Sequence, residues 1–160
     1  VDASKRPWRL KLLQESGLFD IKVIYLLRDG RAVVNSYYKL YGDFRDSFWR
    51  WLRIHLWWVL RLRRIFTPEQ VMQIKYEDLA THPEATLRHL CDFIGIPYEE
   101  AMLRYKEHEY YGIGGNQKML SKREDQSIRL DQGWRETLPK RFQRLFALLG
   151  GWLNRAQGYR

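Results

Sequence analysis

An arginine and a serine eight positions apart, Arg28 and Ser36, are the side chains best placed to do chemistry. Arg28 follows the run Ile21-Lys22-Val23-Ile24-Tyr25-Leu26-Leu27. Its β-branched and aliphatic content predicts a buried, parallel-type strand over 21–27. In an open α/β sheet, ligands collect at the carboxyl ends of strands. A helix that starts there turns N–H groups and a partial positive charge toward them. The sequence predicts such a helix over 31–40, with Asp29 as its N-cap. The planar fork of Arg28 matches phosphate oxygens in bidentate fashion, and Ser36, one to two turns into the helix, offers a hydroxyl. With a rise of about 1.5 Å per residue, a long arginine side chain can share one phosphate with it. Each charge-assisted bond would contribute roughly 1.5–3 kcal/mol. The competing reading pairs Arg28 with Asp29 or Asp43 and gives Ser36 a packing role.

The elements around this pair follow from pattern and punctuation. Residues 8–15 predict a short helix ending near Gly17. The longest helical stretch is 44–66, with Phe48, Leu52, Leu56, Val59 and Leu60 as an apolar face and Arg50, Arg53, Arg61 and Arg64 on another side. Thr67-Pro68 ends it, and residues 71–76 predict a second strand. Thr81-His82-Pro83-Glu84 starts the next helix, in which Leu87, Leu90, Cys91 and Ile94 repeat at helical spacing up to Gly95. Residues 98–106 predict another helix. A polar, glycine-containing segment covers 110–133, and 139–153 predicts a final helix with Phe142, Leu145, Phe146 and Leu149 inward. Strand–helix–strand–helix order argues for an α/β fold with a parallel sheet.

Composition narrows the function without choosing it. The chain has 160 residues, 45% hydrophobic and 15% aromatic, enough for one domain with a core. A formal charge of +9 fits an anionic partner (nucleic acid, a membrane surface or a phosphorylated ligand) or simply solubility. The single cysteine, Cys91, excludes an intrachain disulfide, fits a reducing compartment and lies on an apolar helical face, as a core residue would. His55, His82, His89 and His108 have no zinc-like spacing, so no metal is expected. There is no apolar run of about 18 residues and no signal peptide at the start. Val1-Asp2-Ala3 reads as a strand end, which predicts that the chain begins inside a larger domain.

Leu27-Arg28-Asp29-Gly30-Arg31-Ala32-Val33-Val34-Asn35-Ser36 resembles the 3′-phosphate motif of sulfotransferases, which use 3′-phosphoadenosine 5′-phosphosulfate. Other pieces fall in that family's order. Val1-Asp2-Ala3-Ser4-Lys5 resembles the strand end before the motif, and Tyr76-Glu77-Asp78-Leu79 with Pro83 resembles its Tyr-Glu-Asp-Leu block. His108, Gly115-Asn116, Ile128, Asp131 and Trp134 resemble the C-terminal donor-binding region, and Gly158-Tyr159 the usual ending. The ordered set covers essentially the whole chain.

The resemblance implies an α/β, P-loop-NTPase-like parallel sheet flanked by helices, truncated at the N-terminus, with residues 1–160 forming one partial domain. It implies that Arg28 and Ser36 bind the donor's 3′-phosphate, that Tyr76 lies against or near the adenine, and that the 110–133 loop covers the nucleotide. Basic residues of that loop, Lys118, Lys122, Arg123 and Arg129, would add phosphate contacts. Ser127-Ile128-Arg129 stands where many relatives carry Arg-Lys-Gly, so Arg129 is a weaker match. Trp134 reads as a packing anchor. Ser4 and Lys5 match the place of polar active-site residues, Lys5 as a stabiliser of the leaving group, although the histidine that many relatives carry two residues after a lysine there is absent. The family's Gly-rich 5′-phosphosulfate loop would precede Val1; the isolated chain is therefore expected to be inactive. Helix 44–66 would line the acceptor pocket. The expected reaction is sulfuryl transfer to a hydroxyl or amine of a small-molecule or carbohydrate acceptor, without nucleic acid, in a chain whose compartment is open with the cytoplasm favoured. The alternative is a basic non-enzymatic module that binds nucleic acid or acidic glycans.

Overall fold

The computed structural model describes residues 7–104 and 130–160. The chain divides into two compact units, residues 1–73 with 131–160, and residues 74–130. Their described elements are helix α1 (Pro7–Glu15), strand β1 (Val23–Leu27), helices α2 (Gly30–Tyr41) and α3 (Phe44–Leu60), strand β2 (Val71–Lys75), helices α4 (Tyr76–Thr81) and α5 (Pro83–Ile94), and then α6 (Trp134–Thr137), α7 (Lys140–Leu149) and α8 (Gly151–Ala156). The two strands form one parallel sheet.

The first unit is built around aromatic side chains of α3. Trp51 is 1% exposed, and Phe44, Phe48, Leu52, Leu138, Phe146, Leu153 and Val34 pack with it. Trp51 lies 4.8 Å from Phe146 between ring centroids, and Phe44 stacks on Phe142 at 4.3 Å. A second cluster joins β1 to α3 through Val23, Trp58 and Phe66, with Leu10 of α1 and Val71 of β2 against it. The buried stripe of α3 therefore runs through Phe44, Phe48, Trp51, His55 and Trp58, one turn at a time. The predicted apolar face holds at Phe48 and Leu52, but Val59 and Leu60 are exposed. The aromatic rings won the core because each buries more apolar surface than an aliphatic side chain.

Three further expectations are corrected. β1 is covered on one face only: Val23 and Leu27 are buried, whereas Ile24 and Leu26 are exposed. The predicted 44–66 helix stops at Leu60, where Arg61 leaves helical geometry and a short 3-10 turn, Leu62–Arg64, follows. The single final helix is two. It breaks at Gly150, where an added Cβ would come within 2.8 Å of Trp51 and 2.9 Å of Phe48. Within these helices Phe146 is buried, while Leu145 and Leu149 are exposed.

In the second unit α5 matches its predicted pattern, with Pro83 in its first turn and Gly95 as its left-handed cap at φ 78°. Cys91 is a buried core thiol, its Sγ 3.6 Å from the sulfur of Met102. The predicted 98–106 helix is a 3-10 turn over Glu100–Arg104. The predicted strand 71–76 ends at Lys75, because Tyr76 opens α4, with Glu77 and Asp78 at its positive end.

Candidate donor-phosphate site

β1 and α2 place Arg28 as expected, at the carboxyl end of a strand and just before a helix. The local signals are strong. Asp29 caps α2, its Oδ1 accepting the Arg31 N–H at 2.9 Å. Gly30 is required at the first helical position, since a Cβ there would come within 2.6 Å of Phe146 and Trp51.

The guanidinium of Arg28 is a quarter exposed and already meets an anion. Its Nη2 donates to the Asp131 carboxylate at 3.0 Å and to the Asp131 main-chain oxygen at 3.0 Å. The carboxylates proposed for it, Asp29 and Asp43, are engaged elsewhere. Asp29 takes a two-pronged bond from Arg31, at 2.9 and 2.6 Å. Asp43 caps α3 through the Asp46 N–H. The Asp131 carboxyl is held below its ordinary range by the Gly133 N–H, at 3.0 Å, then by Arg28 and by the charge of Lys39.

Ser36 is exposed on α2. It lies about 9 Å along the helix from Gly30, and Lys39 is the next residue but two, one turn on along the same stripe. Arg28 binds Asp131 directly, and the charge of Lys39 adds to the field on that carboxylate. Ser36 sits on the Lys39 stripe. Sequence reasoning missed Lys39, although its i+3 spacing from Ser36 was a usable signal. It placed Asp131 in the donor-binding region but did not foresee its pairing across 103 residues.

The expectation of free amides at the start of α2 is overturned. The Gly30 N–H donates to Asn154 Oδ1 at 2.8 Å, and the Ala32 and Val33 amides donate to the Asp29 carbonyl. Asp29 and the C-terminal helix fill the positions a phosphate would need, so any anion here is met by side chains.

Tyr76, at the start of α4 in the second unit, is half-buried. Trp134 is buried and carries the Arg31 guanidinium 4.3 Å from its ring centroid, as a packing anchor should. Ser4, Lys5 and Arg129 lie outside the described residues, as do His108, Gly115, Asn116, Lys118, Lys122, Arg123 and Ile128. A separate open groove of about 600 Å³ runs along α3. Trp49, Arg53, Trp57 and Arg61 recur along its wall every four residues, a single ridge of the helix. Neither Arg28 nor Ser36 lines it.

Elsewhere in the first unit, the Tyr25 hydroxyl of β1 and the Gln157 amide both lie within hydrogen-bond distance of His55 Nδ1, at 2.5 and 2.9 Å. Burial lowers the His55 pKa to about 4 and pushes the Tyr25 hydroxyl upward, so both are neutral at pH 7.

Comparison with known proteins decides the family. The sulfotransferase family model matches residues 18–100, which contain β1, α2 and the Arg28–Ser36 stretch. The chain belongs to the sulfotransferase family. It is 28% identical over 94 residues to protein-tyrosine sulfotransferase A of Caenorhabditis elegans, covering 54% of this chain and 24% of that protein. It is 29% identical over 114 residues to protein-tyrosine sulfotransferase 1 of Danio rerio, covering 65% and 32%. Among solved structures it is similar to the sulfotransferase domain of the curacin biosynthetic pathway. The TM-score is 0.59 at 25% identity, over 91% of this chain and 58% of that one. The sulfotransferase domain of the Synechococcus PCC 7002 olefin synthase also gives 0.59, at 28% identity over 89% and 55%. This sulfotransferase-family chain thus spans a quarter to a third of those two curated relatives and a little over half of the solved domains. Its architecture is the α/β, P-loop-like one expected.

Proposed function

We propose that the chain is part of a domain that transfers a sulfuryl group from 3′-phosphoadenosine 5′-phosphosulfate to a hydroxyl or amine acceptor, and that residues 1–160 form one partial domain. The observation that carries this reading is the Arg28–Asp131 contact. The guanidinium at the strand end donates to a carboxylate oxyanion there, and the charge of Lys39 acts on the same carboxylate. A donor 3′-phosphate offers the same oxygens with more charge, so the residues present fit it. Arg28 and Ser36 are its ligands in this reading, and Tyr76 and Arg129 serve the adenine and phosphate side. Ser4 and Lys5 stand at the transfer point, where Lys5 would meet charge that develops on the leaving phosphate oxygen. The S–O bond to that oxygen breaks as the acceptor oxygen or nitrogen bonds to sulfur, and the acceptor proton passes to a base.

The groove along α3 suits the acceptor. Trp49 and Trp57 offer aromatic faces and Arg53 and Arg61 offer cations, which fits small-molecule or carbohydrate acceptors with anionic groups. The tyrosine sulfotransferases among its relatives add a phenolic hydroxyl to the candidates. Among the described residues no group of side chains could hold a metal and no helix is long and apolar enough to cross a membrane. The single, buried thiol of Cys91 fits a cytoplasmic setting.

A thermal-shift titration with adenosine 3′,5′-bisphosphate tests the donor reading. Ligand at a hundredfold excess over Kd stabilises the folded chain by about 2.7 kcal/mol. Arg28→Ala is expected to abolish the shift. A folded wild-type chain that gives no shift overturns the reading.

A further inference from the structure

Asn154, on α8, joins the C-terminal end of the chain to the peptide units just after Arg28. It is 3% exposed. Its Oδ1 accepts the Gly30 N–H at 2.8 Å and its Nδ2 donates to Asp29 Oδ1 at 3.3 Å. The main chain of Asn154 is itself held: its N–H donates to the Gly150 carbonyl, and its carbonyl accepts the Tyr159 N–H at 3.1 Å. On the far side, Asp29 is gripped by Arg31, whose Nη2 also donates to the main-chain oxygen of Arg160 at 2.5 Å. Beneath, the rings of Trp51 and Phe146 leave no room for even a methyl group on Gly30.

We propose that Asn154 is a positioning residue of the donor site, fixing the direction in which Arg28 leaves β1; the proposal rests on the donor reading above. Only a side chain that both donates and accepts can satisfy Asp29 and Gly30 together, and an amide does so. A leucine of similar size would leave the buried Gly30 N–H unpaired, and an aspartate would set its charge against Asp29. Asn154 does not itself touch the ligand. The cleft it lines is about 60 Å³, against roughly 300–1,000 Å³ for ligand pockets. Its effect passes through the backbone of residues 29 and 30. A charge-assisted hydrogen bond needs its partners within about 2.7–2.9 Å. A shift of about 1 Å in the guanidinium is therefore enough to lose one, about ten- to a hundredfold in Kd, or roughly 1.5–3 kcal/mol.

Calorimetry with adenosine 3′,5′-bisphosphate on the full chain tests this, alongside amide hydrogen exchange at Gly30. Asn154→Ala is expected to raise Kd about tenfold and to speed exchange at Gly30. Asn154→Ser is measured in its place if the alanine variant does not fold. Cys91→Ala is the control: Cys91 is 4% exposed and packs on α5 against Met102, outside the cluster beneath Gly30, so its variant melts earlier and keeps the wild-type Kd. An unchanged Kd in a folded Asn154 variant overturns the proposal. So does an equal loss of affinity in Cys91→Ala, which would make the effect general loosening. If the folded wild type binds no bisphosphate, the donor reading itself fails and the positioning role goes with it; Arg28→Ala measured in parallel identifies that case.

Discussion

Arg28 and Asp131 compete with a ligand as much as they prepare for one. The pair is partly exposed, and exposed ion pairs are worth about 0.2–1 kcal/mol. Replacing the carboxylate by an amide should therefore free the guanidinium at little cost. Asp131→Asn is expected to tighten adenosine 3′,5′-bisphosphate binding by up to about fivefold, read by calorimetry. Weaker binding would show instead that Asp131 holds the guanidinium in its binding pose. His55 makes a different prediction. Its unfolded ring takes up a proton near pH 6.5, while burial in the fold delays this to about pH 4. Between those values the unfolded state holds the extra proton, so stability falls as pH drops from 6.5 to 4 and levels off below. The full difference is about 3 kcal/mol. Urea unfolding at pH 7.5 and pH 4 checks it, and His55→Gln should remove most of the pH-dependent part.

At the scale of elements, Gly150 separates α7 from α8 and lets Asn154 and Gln157 reach back toward α2 and α3. Its close approach to Trp51 and Phe48 leaves no space for a side chain. Gly150→Ala is expected to destabilise the fold by about 1–3 kcal/mol through overpacking, measured as a lower urea midpoint with an unchanged slope. The sequence pattern merged these two helices because Phe142, Phe146, Leu149 and Leu153 keep a helical period across the break. Nothing local marks the glycine as a contact with a tryptophan 99 positions earlier (150 − 51). The start of α2 was legible by contrast, since Asp29 caps it through bonds made within two residues.

For the whole molecule, the +9 charge leaves two kinds of anion binding to separate. Diffuse electrostatic binding weakens steeply with salt and is indifferent to any one arginine. A built donor site depends on Arg28 and Ser36 and much less on ionic strength. Bisphosphate affinity is expected to vary severalfold at most between 50 and 200 mM salt, and Ser36→Ala to reduce it where substitution of an exposed arginine such as Arg63 does not. Fluorescence titration at both salts reads both effects. A steep salt slope shared by all variants would favour the basic binding module instead.

The order of elements, the strand-end arginine, the capping aspartate and the core role of Cys91 were all set by local chemistry: period, β-branching, turn residues and a side chain bonding to its own backbone. These need no partner from far along the chain, so residue types and spacing carried them. Tertiary structure decided the rest. It chose tryptophan and phenylalanine over leucine for the buried stripe of α3, left one face of β1 exposed, gave Arg28 to Asp131 and tied Gly30 to Asn154. Each of those depends on which groups separated by a hundred or so residues meet in space, and on the cost of burying a polar group that has not met its partner.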